Sequence, residues 1–319
     1  MTHRPFLDRR TVLKSGIACA TVTMSMPAAA KTYGLSPTQV DAGVWLIEGA
    51  QDGFAPSNGG AICNIVLLET PEGAVVIDTG STAKMGASIR AFADQALGGV
   101  AMTLITHNHP DHWFGNLAFQ DGPILCLPAC AAQCDRNAEG YSEALYHILG
   151  SWMSGTTPVI PNGTLEGGDI NIGGRRLTLI PMSGHSDADL VIIDQATGIL
   201  IAGDLLFLNR AATFPDADIP TWLAALDQLQ EFDFTGVIPG HGAFHRSSAA
   251  LVQTRNYLVA TDARLRLAAE LGLSPMEAMI AGPVPGTETL GANPEEYRRS
   301  VVQSWTGYEQ EALPLAHPL

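Results

Sequence analysis

The 319-residue chain is short of positive charge. It has 17 Lys and Arg against 32 Asp and Glu, so its formal net charge is -15 at pH 7. Because nucleic acids and anionic membrane surfaces are bound through Lys and Arg, this balance argues against both as partners. Charged residues make up only 15% of the chain and hydrophobic residues 46%, which predicts a globular protein with a large buried core.

Long apolar runs are also missing. Residues 15–26 form a short stretch rich in Ala, Ser, Thr and Gly, which does not predict a spanning helix or a stable membrane anchor. This stretch follows Arg9-Arg10 and precedes Ala28 and Ala30, a pattern typical of a twin-arginine export signal cleaved after Ala30. We therefore predict a periplasmic protein, with an unprocessed, disordered tail as the alternative.

Cysteine is scarce, with five in the whole chain. Cys19 lies in the predicted signal, which leaves Cys63, Cys126, Cys130 and Cys134 in an oxidising compartment. The last three recur every four residues and would share one face if that stretch were helical. The sequence does not choose between one disulfide and buried thiols.

Against these absences, residues 107–112 hold three imidazoles and a carboxylate. His107 and His109 are two apart, so in an extended chain their side chains point to one side. Pro110 bends the chain, and Asp111 and His112 then face a neighbouring point. These are the ligand types that zinc favours, and one loop of this kind can serve two metal ions.

Three further candidate ligands stand alone, each after an apolar run and beside glycine. They are His185, Asp204 and His241. A carboxylate has two oxygens, so Asp204 is expected to bridge two metals, with His185 on the first and His241 on the second. The sequence therefore predicts two zinc ions, with iron as the alternative metal.

Strand and helix patterns alternate in two halves of the chain, which predicts an α/β sandwich. Strands are predicted at residues 44–47, 62–69, 74–77, 102–105, 176–181, 190–193, 199–202 and 236–238. Helices are predicted at residues 81–97, 219–232, 247–271, 275–280 and 294–309. No short repeat or low-complexity tract is present.

These motifs, taken in order, resemble those of the metallo-β-lactamase-fold metallohydrolase superfamily. The HxHxDH loop of that superfamily stands here at residues 107–112, and its strand-end aspartate stands in Asp78-Thr79-Gly80. Its later motifs stand as Gly184-His185, Gly203-Asp204 and Gly240-His241. The resemblance covers residues 43–245, and it implies that Asp78 orients a ligand or the motif loop without binding metal itself.

The resemblance also implies an architecture. We expect a four-layer αβ/βα sandwich, with the metals at one edge of the two inner sheets. Residues 1–30 would be the export signal, residues 31–245 the catalytic domain, and residues 246–319 a helical C-terminal extension that packs on it or mediates a homodimer. Residues 50–60 and 141–162 are expected to be loops over the metals.

The chemistry that follows is hydrolysis of a small-molecule substrate. A hydroxide held between two zinc ions is a nucleophile at neutral pH, and Asp111 is expected to orient it and pass its proton to the leaving group. The resemblance implies that the bridging Asp204 is absent from true β-lactamases. We therefore predict an exported dinuclear zinc hydrolase for a small ester, thioester, lactone or amide. With the export signal, the chain most resembles the quinoprotein relay system zinc metallohydrolases.

Two other functions stay open from the sequence. A mononuclear iron enzyme of the persulfide dioxygenase kind would use His107, His185 and Asp204 as a facial triad. A non-catalytic metal-binding protein would act as partner of a periplasmic quinoprotein dehydrogenase. Metal content and a hydrolysis panel separate these alternatives.

Overall fold

The strands of the chain form two sheets in the computed structural model, which describes residues 32–312. The predicted export signal, residues 1–30, lies outside this range, as do residues 313–319. The first sheet holds, in spatial order, β1 Thr38–Asp41, β2 Val44–Ile47, β3 Ile65–Leu68, β4 Ala74–Ile77, β5 Val100–Leu104, β6 Ile124–Cys126 and β7 Gly163–Thr164. The second holds β12 Gly236–Ile238, β11 Ile199–Ile201, β10 Asp189–Asp194, β9 Arg175–Met182 and β8 Gly168–Ile172.

The first sheet changes from antiparallel to parallel at its middle. Strands β1 to β4 pair antiparallel, whereas β4 to β7 pair parallel. Every residue of β3 and β4 is buried, and both strands are short runs of aliphatic residues. A strand that is apolar throughout needs cover on both faces, so these two strands lie at the centre of the molecule.

The second sheet is antiparallel from β8 to β11, and β12 pairs parallel with β11. Its inner face, including Leu177, Ile192 and Ile238, belongs to the same apolar cluster as Ile65 and Val76 of the first sheet. The two sheets therefore pack face to face.

Helices cover the outer faces of both sheets. Their bounds are α1 Ala83–Ala96, α2 Pro110–Trp113, α3 Pro128–Leu149, α4 Ile219–Gln230, α5 Ala249–Glu270, α6 Pro275–Ile280 and α7 Glu295–Ala312. Buried residues of α1 and α3 join the cluster of the first sheet, and those of α4 and α5 join a second cluster with Val191, Leu200 and Val237. This confirms the expected four-layer sandwich.

Two local expectations need correction. Residues 141–149 are not loop, because α3 runs on to Leu149 before the chain turns at Gly150. Cys126 lies in β6 rather than on a helix with Cys130 and Cys134. All four described cysteines are buried free thiols, the second of the two alternatives left open above.

The C-terminal region is helical, as expected. The end of α5 packs with α6 and α7 around a separate small core that includes Leu265, Tyr297 and Trp305. Across residues 32–312, none of the helices combines the length and the apolar character needed to cross a membrane.

Candidate metal centre

The histidine-rich segment begins where β5 ends, and the neighbouring strand fixes its direction. Asp78 follows β4 with a left-handed backbone, φ 64°. Its carboxylate accepts hydrogen bonds from the Thr106 backbone nitrogen at 2.8 Å and from the Thr106 hydroxyl at 2.9 Å. The short helix α2, with Pro110 at its start, then turns the chain. Side chains before and after this turn can therefore face different points.

Three histidines and one aspartate converge as the first group. His109 Nδ1 lies 3.0 Å from His107 Nε2 and 2.8 Å from His185 Nε2. Asp204 Oδ2 lies 3.4 Å from His185 Nε2. All four side chains are buried, and their ligand atoms are close enough to hold one metal ion.

A second group lies beside the first and shares Asp204 with it. His112 Nε2 lies 3.2 Å from Asp204 Oδ1, and His241 Nε2 lies 3.3 Å from Asp204 Oδ2. Asp111 Oδ2 is 3.4 Å from His241 Nε2 and 3.6 Å from His112 Nε2. The structure thus brings all seven candidate ligands into two adjoining clusters, with the Asp204 carboxylate between them.

Outer hydrogen bonds decide which imidazole nitrogens face inward as lone pairs. The Thr106 hydroxyl donates a hydrogen bond to the Asp78 carboxylate. The hydroxyl oxygen therefore accepts the hydrogen bond from His107 Nδ1 at 3.0 Å. His109 Nε2 donates to Asp216 Oδ2 at 3.0 Å. The lone pairs of His107 Nε2 and His109 Nδ1 then face each other across 3.0 Å. A cation between them removes this repulsion, so the donor set fits a metal ion.

The second group has the same polarity. His112 Nδ1 donates to Asp78 Oδ2 at 2.7 Å, and His241 Nδ1 donates to the Ile62 carbonyl at 2.7 Å. Their Nε2 atoms therefore point toward Asp204, and in the neutral rings with this hydrogen bonding Nε2 carries the lone pair. His112 Nε2 is buried without a hydrogen-bond partner among the described residues, which is the state expected of a ligand atom.

Burial and neighbouring charges set the protonation states of the cluster. It lowers the pKa of His107 and of His185 well below the usual value, which keeps both rings neutral. Burial opposes ionisation of Asp204, but the neighbouring His241 and His112 hold the pKa of its carboxyl well below its usual range. At His112 burial is outweighed by the carboxylates of Asp204, Asp111 and Asp78, which raise the pKa of its ring well above the usual value. A cation in the second group would therefore displace a proton from His112, whereas His107 and His185 are already neutral.

Two carboxylates that hold ligand residues in place were missed by sequence analysis. Asp189 accepts hydrogen bonds from the backbone nitrogens of His185 and Ser186, at 3.1 and 3.0 Å, and burial raises its pKa to about 7. Asp216 accepts a hydrogen bond from His109 Nε2, the ring nitrogen that faces away from the ligand cluster. Asp189 lies four positions after His185, which is a usable signal, whereas nothing in the sequence marks Asp216.

Asn64 ties the first sheet to the loop that carries His241, and it too was missed. Its side-chain amide donates to the carbonyls of Pro239 and Gly242, at 2.8 and 2.7 Å, and its backbone nitrogen donates to the Gly240 carbonyl at 2.8 Å. Gly240 has no room for a side chain, since a Cβ there would lie 1.9 Å from Asp204 Oδ1. This glycine lets the His241 loop approach the shared carboxylate.

A cavity of about 490 Å³ opens over the cluster. Most of its apolar lining comes from α3 and from the loop after β2, and the C-terminal region contributes three charged side chains. The α3 wall consists of Tyr141, Ala144, Leu145 and Ile148; the loop contributes Asp52, Gly53, Phe54 and Ala55; the C-terminal region contributes Ala292, Glu295, Glu296 and Arg299. A buried cation site beneath a partly apolar cavity can bind a small molecule and polarise one polar bond in it.

Of three aromatic residues near the motifs, only Phe54 lines this cavity. Trp113 is fully buried, and its indole nitrogen donates to the Asn108 carbonyl at 2.7 Å. Phe207 is also fully buried and stacks on the His241 ring, with centroids 5.2 Å apart. Trp113 therefore supports the loop of residues 107–112, and Phe207 supports the loop that carries His241.

Comparison with known proteins gives a consistent result. A family model described as the metallo-beta-lactamase superfamily matches residues 58–241. An acyl-coenzyme A thioesterase, MBLAC2 of Gallus gallus, is 26% identical over 198 residues, which is 56% of this chain and 72% of that protein. The probable metallo-hydrolase YqjP of Bacillus subtilis is 25% identical over 233 residues, 60% of this chain and 70% of that protein. A metallo-beta-lactamase from Pontibacter korlensis has a similar fold, with a TM-score of 0.58 and 23% identity over 70% of this chain and 99% of that one.

Proposed function

Because the chain belongs to the metallo-beta-lactamase superfamily, we propose that it is an exported dinuclear zinc hydrolase that cleaves a small ester, thioester, lactone or amide. The observation that carries this proposal is the inward polarity of two adjoining ligand groups. His107, His109 and His185 would hold one ion. The second would be held by Asp111, His112 and His241, where Asp111 Oδ2 lies 3.6 Å from His112 Nε2 and 3.4 Å from His241 Nε2. Asp204 lies between the groups and would serve both.

When bound, two zinc ions supply Lewis acidity and lower the pKa of water toward neutrality. The residues of the chain would orient the water and transfer its proton. Asp111 lies at the cavity floor, close to His112 and His241, where its carboxylate would orient the attacking water and accept its proton. It would then return that proton to the leaving group.

Asp78 and Asp216 would hold the imidazoles in their metal-binding tautomers. Asp78 accepts from His112 and from Thr106, and Asp216 accepts from His109. Neither carboxylate belongs to the groups that converge on a common point. Their contribution would be to orientation of the ligands rather than to the reaction itself.

Two observations favour an acyl substrate with an apolar acyl part. One wall of the cavity is formed by Leu145, Ile148 and Phe54, which offers apolar contact beside the ligand groups. The relatives from Gallus gallus, Bos taurus and Homo sapiens are named acyl-coenzyme A thioesterases. We therefore place thioesters first among the four candidate bonds.

The test combines metal quantification with a hydrolysis panel. Protein loaded with zinc should contain about two ions per chain and should hydrolyse at least one member of a panel of acyl thioesters, esters, lactones, amides and β-lactams. Acyl-coenzyme A and short thioesters of the same acyl group should be compared directly. About one iron per chain with oxygen uptake would instead support the dioxygenase alternative.

Export and partners belong to the proposal as well. They are supported by the Arg9-Arg10 signal pattern and by the resemblance to quinoprotein relay system enzymes. Replacing both arginines with lysine should leave the protein in the cytoplasm of its host, as measured by fractionation. Turnover of no panel member, together with retained binding to a periplasmic quinoprotein dehydrogenase, would favour the non-catalytic role.

A further inference from the structure

The C-terminal extension reaches the metal centre through the segment that precedes α7. The backbone nitrogen of Gly291 donates to the Asn209 carbonyl at 2.8 Å, and its own carbonyl accepts from the Ala211 nitrogen at 3.0 Å. Gly291 is also pressed against the loop after β2, since a Cβ there would lie 2.1 Å from the Gln51 carbonyl. The start of α7 is therefore fixed beside Arg210.

Arg210 and Glu296 form a buried ion pair at this junction. Arg210 Nη2 lies 3.3 Å from Glu296 Oε1, and each side chain is 2% exposed. Both residues line the cavity. Within residues 32–312, Arg210 Nε and Glu296 Oε2 have no hydrogen-bond partner. Burying two charges is costly, so a pair retained here needs a reason in addition to packing.

The other end of the guanidinium supplies that reason. Arg210 Nη1 lies against His241 Nδ1, the same nitrogen that faces the Ile62 carbonyl at 2.7 Å. A carbonyl only accepts and a guanidinium only donates, so the nitrogen can serve one of them at a time. When His241 Nδ1 donates to the Ile62 carbonyl, Nε2 keeps a lone pair that can bind a cation. When Nδ1 accepts from Arg210, the ring proton lies on Nε2, which then cannot bind a cation.

Glu296 is the carboxylate that holds the guanidinium from the side away from His241. We propose that Glu296, acting through Arg210, is a positioning residue for His241, and that the C-terminal extension thereby controls cation binding by the second ligand group. The inference rests on the proposed two-ion function. It assigns to α7 a role in the metal centre itself.

The first test is Glu296→Gln, with Glu309→Gln as the control on an exposed part of the same helix. Metal-free proteins are titrated with Zn²⁺ against a chelator and with Co²⁺ by visible absorption. The affinity for the first ion should be the same in Glu296→Gln as in the original protein. The second should bind about 10-fold more weakly, the lower end of the effect of residues that orient ligands. The control should match the original protein for both ions.

A paired set of variants guards against simple misfolding. Glu296→Leu leaves Arg210 without its carboxylate and should lose the second ion most severely. Arg210→Met combined with Glu296→Leu removes both charges and the competing donor, so the second ion should bind more tightly than in Glu296→Leu alone. Removal of a buried pair is tolerated better than removal of one member, which keeps this double variant foldable.

Three results would overturn the inference: unchanged affinity for the second ion in Glu296→Gln and Glu296→Leu, equal weakening of both ions, or a double variant that binds worse than the single one. If the original protein binds two ions but hydrolyses nothing, the hydrolase proposal alone fails. If it binds a single ion under saturating zinc, both proposals fail.

Discussion

The two sheets contribute to the metal centre in different ways. The first sheet delivers four candidate ligands from one loop, residues 107–112, directly after β5. The second sheet delivers one ligand from each of three strand ends: His185 after β9, Asp204 after β11 and His241 after β12. The first contribution is local in sequence, whereas the second exists only when three strands are correctly aligned.

This difference predicts how the centre should fail. A change in the second sheet should affect cation binding through strand alignment and through the shared Asp204. A change in the loop of the first sheet should act on one ligand group or on the reaction, because Asp78 holds the start of that loop independently. The following changes test this contrast, from the largest expected effect to the smallest.

Asp204→Ala should have the largest effect, because this carboxylate lies between both groups. We expect loss of both zinc ions and a fall in kcat/KM of at least about 10³-fold, equivalent to roughly 4 kcal/mol. His241→Ala, from the same sheet, should lose one ion only. Metal analysis after dialysis measures both results. Retention of two ions by Asp204→Ala would remove the idea of a shared ligand.

Asp111→Asn should separate binding from reaction within the loop of the first sheet. The amide keeps the shape of the side chain but cannot accept a proton, so at least one ion should remain bound while kcat falls by about 10²-fold. Stopped-flow or steady-state rates on the best panel substrate, with metal content measured on the same sample, provide the readout. Full activity in this variant would refute the role given to Asp111.

The ligands that the first sheet contributes to the metal centre could all be predicted from the sequence. Density of ligand types marks residues 107–112 without knowledge of the fold, and the order of the later glycine motifs places His185, Asp204 and His241. The aliphatic runs of β3 and β4 gave the inner strands for the same reason, since apolar periodicity is a local signal. The helix α3 was not among the predicted helices: the cysteine spacing raised a helix there only as a condition, and its Tyr141–Leu149 portion was assigned to a loop.

What remained hidden are the partners that act across long chain separations. Asp216 reaches a histidine 107 positions earlier, and Glu296 reaches an arginine 86 positions earlier. Asn64 contacts carbonyls 175 and 178 positions later. Such residues are ordinary Asp, Glu and Asn by local pattern. Only the folded chain brings them to the side chains and carbonyls that they hold.

Asn64→Ala tests the clamp by which the first sheet holds the His241 loop. It leaves the carbonyls of Pro239 and Gly242 buried without this donor, which should cost about 2–4 kcal/mol of unfolding free energy. The second ion should bind about 10-fold more weakly, with the first ion little changed. Urea unfolding of the metal-free protein gives the stability term separately from the affinities. Asn58→Ala, in a loop away from the His241 carbonyls, is the control.

Equal weakening of both ions by Asn64→Ala would contradict the contrast between the sheets. The clamp would then support the whole centre, not one loop of it. Unchanged stability would show that the two carbonyls find water in place of the amide.

The smallest effect is expected at Asp216, which supports a ligand of the first group from the loop before α4. Its side chain is 37% exposed, so solvent screens its charge, and the hydrogen bond with His109 lowers the pKa of its carboxyl. Asp216→Asn keeps an oxygen that accepts from His109 Nε2 but removes the charge. We expect the first ion to bind no more than about 10-fold more weakly and the second to be unaffected. Asp233→Asn, exposed and remote from the ligands, is the matched control. If Asp216→Asn instead weakened the second ion, the two groups would be coupled through Asp204 strongly enough that the division between the sheets no longer describes the centre.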